Sequence, residues 1–153
     1  MPDERVLRLV INASRIFAGV MKDGTNRRLI LDDRLDPFAP TFIREEIWKH
    51  MDKLIRYSRL TSEEAGKMIE RLLAHVSVVD DDAFSDRLAE AEKAMAGIDP
   101  DDSAYIALAM AINVEGIWTE DRHYWKQQLV RPFSTRDVLA ALPRVDPDDR
   151  PAS

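Results

Sequence analysis

The chain has 153 residues, 45% of them hydrophobic and 33% charged, with no cysteine and a net charge of −6. That length suits one domain with a sizeable core; the hydrophobic share excludes a wholly disordered chain, and the missing thiols exclude a disulfide scaffold, a thiolate-held iron–sulfur site and a Cys-ligated zinc site. No stretch approaches the ~18 apolar residues that span a bilayer, and residues 1–5 lack the basic and apolar regions of a signal peptide, which predicts a soluble cytoplasmic protein with no membrane partner.

In chain order, residues 6–11 are an apolar run rich in β-branched side chains, the pattern of a buried strand. Ile16, Phe17 and Val20 then fall on one side of a helix. After a Gly24-Thr25-Asn26 break comes a short helix at about 27–32. Residues 36–40, interrupted by Pro37 and Pro40, are too short for a helix and fit a brief strand. Thr41 can cap a helix running to about Tyr57, with Ile43, Ile47, Met51 and Leu54 at helical spacing. A helix at about 62–74 and a strand at 76–79 follow. Asp80, Asp81 and Asp82 open a helix to about Ala96, which Gly97 ends. Residues 99–102 precede a helix carrying Ile106, Ala109, Met110 and Ile112, and their carboxylates complement the positive end of its dipole. Residues 116–119 read as a strand, 123–126 as a short helix and 130–133 as a last strand, before Ser134 caps a helix to Leu142. Residues 146–153 read as a flexible tail behind a single domain at 1–145.

Strands alternating with helices predict an α/β fold: a three-layer α/β/α sandwich around a mainly parallel sheet of four or five strands. Sites in such sheets form beyond the carboxyl ends of the strands. Asn12 follows the first strand, Thr119 and Asp121 follow the strand at 116–119, and Glu46 and Asp102 stand near helix starts. Charge is uneven too. Residues 1–75 hold 14 Lys/Arg and 12 Asp/Glu, whereas residues 76–153 hold 8 and 16. That split permits a mildly basic face beside an acidic centre.

Three segments resemble the PIN domain, the nuclease fold also used by VapC-type toxins. They are Leu9-Val10-Ile11-Asn12-Ala13-Ser14-Arg15-Ile16-Phe17; Pro40-Thr41-Phe42-Ile43-Arg44-Glu45-Glu46-Ile47; and Asp99-Pro100-Asp101-Asp102-Ser103-Ala104-Tyr105-Ile106-Ala107-Leu108-Ala109, followed by Gly116-Ile117-Trp118-Thr119-Glu120-Asp121. The likeness covers nearly all of residues 6–142. It implies metal-dependent cleavage of a phosphodiester, usually in RNA, at a centre holding Mg²⁺ or Mn²⁺. Asp102 and Asp121 would be the main ligands, and Glu46 a further ligand or a water-orienting carboxylate. Such hard ions prefer carboxylate and water oxygens, and carboxylates held close repel one another without the cation. The likeness also implies a homodimer and, for a toxin, an antitoxin whose segment covers the site.

The first segment departs from the family pattern. Asn12 stands where the usual residue is aspartate, and Ser14 where it is asparagine. Asn12 keeps a carbonyl oxygen but supplies no charge, which predicts a weakened site. Asp99 or Asp101, within one turn of Asp102, could compensate. The same departures support the alternative of a PIN-like domain that binds RNA or protein without cleaving.

Thr119, Ser14 and Arg15 are expected to position substrate or phosphate, and Arg44, Lys49, Lys53 and Arg122 either hold phosphates or are solvated charge. Plainer roles compete elsewhere: Asp99, Asp101 and Asp102 suit a helix cap, Asp121 suits a turn, and Glu45 rivals Glu46 for the match. His50, His75 and His123 lack metal-ligand spacing and read as surface or core residues. Trp48, Trp118 and Trp125 read as core or interface, with Trp48 and Tyr57 as anchors of a dimer face.

Overall fold

Five short parallel strands make one sheet, in the order β3-β2-β1-β4-β5, in the computed structural model, which describes residues 6–144. The strands are β1 Leu7–Ile11, β2 Leu35–Pro40, β3 Ser77–Val79, β4 Gly116–Trp118 and β5 Pro132–Phe133. The predicted tail at 146–153 lies outside the described residues. Between β1 and β2 run α1 Ala13–Met21 and α2 Thr25–Ile30; between β2 and β3 run α3 Phe42–Lys49, α4 Met51–Ser58 and α5 Ser62–Leu73. The return from β3 to β4 carries α6 Leu88–Met95 and α7 Ser103–Ala111, and α8 Thr135–Ala141 follows β5. Right-handed crossovers put α1–α5 on one face and α6–α7 on the other, because the chain moves across the sheet in opposite directions in the two halves. The result is the expected three-layer α/β/α sandwich.

Leu9, Val10 and Ile11 are wholly buried, as a central strand covered on both faces requires. Helix α7 is apolar nearly all round and lies against β1, β2 and β4, so it too is largely buried. Pro37 and Pro40 sit in β2, an interior strand where the lost N–H ought to cost a hydrogen bond. Both escape that cost. The Thr41 N–H bonds to Val79 O, so alternation aims Pro37 at β3 and Pro40 at β1. Pairing with β3 starts only at Phe38, and pairing with β1 ends there. Gly116 is dictated by close approach: a Cβ on it would collide with the Arg131 carbonyl oxygen.

Two predicted helices are broken. The helix expected at 41–57 is α3 and α4, divided at His50, where the His50 N–H bonds back three residues to Ile47 O. The bend lets both halves pack on α1, keeping Ile43, Ile47, Met51 and Leu54 buried. The helix expected from 80 to 96 is two 3-10 turns, Asp81–Ala83 and Ser85–Arg87, followed by α6. Here Phe84 drops into the core between the turns and interrupts the helical spacing.

Candidate metal centre

Strand order reverses at β1. Its neighbours β2 and β4 are reached in opposite directions, which opens a crevice beyond the carboxyl ends of β1 and β4. Asn12 leaves β1 there and starts α1; Thr119 leaves β4; Asp121 starts the 3-10 turn Arg122–Lys126; Asp102 starts α7; and Glu46 lies on α3. Asn12, Asp102 and Thr119 are buried, Glu46 and Asp121 half-buried.

The Asn12 amide is fixed at both ends. Its Nδ2 donates to Thr119 Oγ1 at 3.0 Å, and its Oδ1 accepts from Ser14 Oγ at 2.7 Å. Thr119 Oγ1 also accepts the Asp121 N–H at 3.0 Å. Ser14 and Thr119 thus orient Asn12 and the turn that carries Asp121. Arg15 is buried: its guanidinium donates to Asn26 Oδ1 at 3.0 Å and Thr135 Oγ1 at 3.4 Å and lies over the Trp118 ring. Burial lowers its pKa. These partners belong to the fold, so Arg15 braces α1 against α2 and α8. Arg44 pairs with Glu70 at 3.3 Å on the α3–α5 surface.

The carboxylates divide their work. Asp99, not Asp102, caps the turn Pro100–Asp102 by accepting the Asp101 N–H at 3.0 Å. Asp102 makes no capping bond, and its Oδ2 is buried with no hydrogen-bond partner among the described residues. Asp121 does cap its turn, accepting the His123 N–H at 3.1 Å. His123, which the sequence offers only as a surface or core residue, stands in their midst. Its Nδ1 is 3.3 Å from Asp121 Oδ1, 3.7 Å from Asp102 Oδ2 and 4.0 Å from Asp99 Oδ2. Asp102 and Asp121 therefore lie no farther apart than two such contacts in line. One ligand atom each from Asp99, Asp102 and His123 falls within 4.8 Å of the others. The tightest grouping is thus Asp99, Asp102 and His123, with Asp121 beside it.

Two tyrosines complete the crevice, and neither stands out in sequence. Tyr105, hidden in the apolar run of α7, donates its hydroxyl to Glu46 Oε1. The Tyr124 hydroxyl lies beside Asp102 and Asn12 with no aligned partner. Gln127 holds this turn in place: its Nε2 donates to Tyr124 O and Val130 O, and its Oε1 accepts the Leu129 and Val130 N–H groups.

Burial pushes the Asp102 carboxyl up to about 6; the nearby Tyr124 hydroxyl opposes the shift, and the negative charges of Asp99, Asp121 and Glu46 add to it. Burial also raises Glu46, against the opposing hydrogen bond from Tyr105. Both shifts say that this pocket disfavours negative charge unless a cation enters. Of the six buried polar side-chain atoms without a partner among the described residues, four belong to Asp102, Ser103, His123 and Tyr124. A divalent cation fits these observations: it would occupy the orphaned Asp102 oxygen and offset the crowded carboxylates. Asp99, Asp102, Asp121, Glu46 and His123 are the residues that could hold it.

The sequence model of the PIN domain matches residues 10–142. Among solved structures, the protein PAE2754 from Pyrobaculum aerophilum superposes with a TM-score of 0.66 over 90% of each chain at 18% identity, which is a likeness of fold. No curated protein matches the sequence. With the match spanning both strand ends that bear Asn12 and Asp121, and the α/β/α sandwich in place around them, the chain belongs to the PIN domain family.

Proposed function

We propose that this protein is a divalent-metal-dependent ribonuclease with a weakened centre. The observation that carries the proposal is the meeting of Asp102, Asp121 and Asp99 around one crevice, with a buried Asp102 oxygen that has no partner among the described residues. Asp102 and Asp121 would hold Mg²⁺ or Mn²⁺ with help from Glu46. A cation bound there supplies polarisation of the phosphoryl group and a lowered pKa for water.

The chain's own groups do the rest. Tyr105 holds one Glu46 oxygen and leaves the other to orient a water. Thr119 fixes the Asp121 turn by accepting its N–H. Asn12 contributes no charge, and its carbonyl oxygen is already engaged by Ser14. With one carboxylate fewer than the family pattern, affinity for Mg²⁺ and rate both fall. RNA is the substrate class this reading takes from the family. A toxin held by an antitoxin, in the cytoplasm, is its finer form. A homodimer is supported by Trp48 and Tyr57, 68% and 61% exposed on α3 and α4. Among the described residues no helix is long and apolar enough to cross a membrane.

Asn12 also favours a second reading, a PIN-like module that binds RNA or protein without cleaving. A ribonuclease assay in Mn²⁺ separates the two. Cleavage that Asp102→Asn or Asp121→Asn abolishes supports the nuclease; binding of RNA with no cleavage, by this chain and by Asn12→Asp alike, supports the module.

A further inference from the structure

The geometry points to His123 as a metal ligand, which makes the centre formed with Asp99 and Asp102 selective for a first-row transition-metal dication over Mg²⁺. The inference deepens the metal-dependent reading above and rests on it for what the ion does; its test reads binding alone.

Three observations carry it. First, Nδ1 of His123 has carboxylate oxygens at 3.3, 3.7 and 4.0 Å and hydrogen-bonds to none of them. Asp102 Oδ2, on a side chain 8% exposed, is likewise without a partner among the described residues. Two unpartnered atoms so close to each other face shared space instead of bonding across it, as ligands converging on one ion do. Second, the backbone that carries the half-exposed ring is held in place. The His123 N–H is tied to Asp121, its neighbour Tyr124 is wholly buried, and the four bonds of Gln127 lock the end of the turn. Third, the β1 side of the crevice offers little to an ion, because Asn12 is neutral and both ends of its amide are spent on Ser14 and Thr119. The donor set therefore shifts from β1 toward α7 and the turn after β4, and exchanges a carboxylate for an imidazole nitrogen. Mg²⁺ keeps to oxygen donors, whereas imidazole suits zinc and its first-row neighbours.

The test uses the full chain stripped with chelator and then titrated with Zn²⁺ or Mg²⁺. Two-bond ¹H–¹⁵N spectra follow the ring nitrogens of His50, His75 and His123, and calorimetry gives the affinities. At one equivalent of Zn²⁺, Nδ1 of His123 should shift while the rings of His50 and His75 stay in place. Saturating Mg²⁺ should move none of the three. His123→Ala should weaken Zn²⁺ by at least about tenfold and change Mg²⁺ by less than about twofold. Unmoved His123 nitrogens at saturating Zn²⁺, or Mg²⁺ bound as tightly as Zn²⁺, would overturn the assignment. Because no RNA is present, failure here leaves the nuclease reading standing, and absence of cleavage leaves this assignment standing.

Discussion

Replacing Asp102 with asparagine should stabilise the metal-free protein at neutral pH. Asp102 is buried, and its carboxyl is raised from its ordinary 3.8 to about 6, chiefly by burial, with Asp99, Asp121 and Glu46 adding repulsion against the opposing Tyr124 hydroxyl. The folded chain therefore binds this proton more tightly than the unfolded chain does. The stabilisation it gives is complete below pH 3.8 and is lost as pH rises through about 6. At about 1.4 kcal/mol per pH unit, the ionised carboxylate costs up to about 3 kcal/mol at pH 7.5. An asparagine side chain at this position has nearly the same shape and no charge. Urea unfolding in excess chelator, at pH 3.5, pH 5 and pH 7.5, measures both chains. The variant should exceed the parent at pH 7.5 by a large part of that figure, by about half as much at pH 5, and by little at pH 3.5. Excess Mn²⁺ should reverse the order, because only the parent retains the charged ligand. A variant less stable than the parent at pH 7.5 without metal would refute the reasoning, since it would mean that the carboxylate is net stabilising where it sits.

Three other outcomes follow from the same structure. Gln127→Ala leaves two carbonyls and two N–H groups of the turn without their partner and should cost about 2–4 kcal/mol by denaturant unfolding. Asn12→Asp adds a buried carboxylate to the crevice that holds Asp102, so its melting temperature in chelator should fall below that of the parent and recover with Mn²⁺. Light scattering at micromolar concentration should give the mass of a dimer, and changing Trp48 and Tyr57 together to serine should give a monomer with an unchanged circular dichroism spectrum.

The architecture was legible because strands buried on both faces announce themselves as unbroken apolar runs, as in Leu9-Val10-Ile11 and Gly116-Ile117-Trp118. Breaks inside helices were not. Ile43, Ile47, Met51 and Leu54 keep helical spacing straight through His50, and only packing on α1 explains the bend. At the site, the order of motifs singles out Asp102 among its neighbours; in the structure Asp99 does the capping, and the Asp102 oxygen has no partner among the described residues. His123 was hidden because its partners Asp99 and Asp102 lie more than 20 residues upstream, so no local spacing reveals them. Tyr105 was hidden by its own helix, where an aromatic ring amid apolar residues reads as core until its hydroxyl is seen on Glu46. Arg15 carries a structural role that its place next to a motif does not announce: its guanidinium bonds to Asn26 and Thr135.

The central claim is that Asn12 weakens a carboxylate centre which otherwise cleaves RNA. It is tested most directly by following cleavage of one RNA by the unaltered chain and by Asn12→Asp, side by side, in Mg²⁺, in Mn²⁺ and with chelator. Little or no product is expected from the unaltered chain in Mg²⁺. Asn12→Asp restores a charged oxygen beside the ion and should cut at least about tenfold faster, a gain of about 1.4 kcal/mol or more in transition-state stabilisation, with no product in chelator. Rapid Mg²⁺-dependent cleavage by the unaltered chain, abolished by Asp102→Asn and not increased by Asn12→Asp, would contradict the claim.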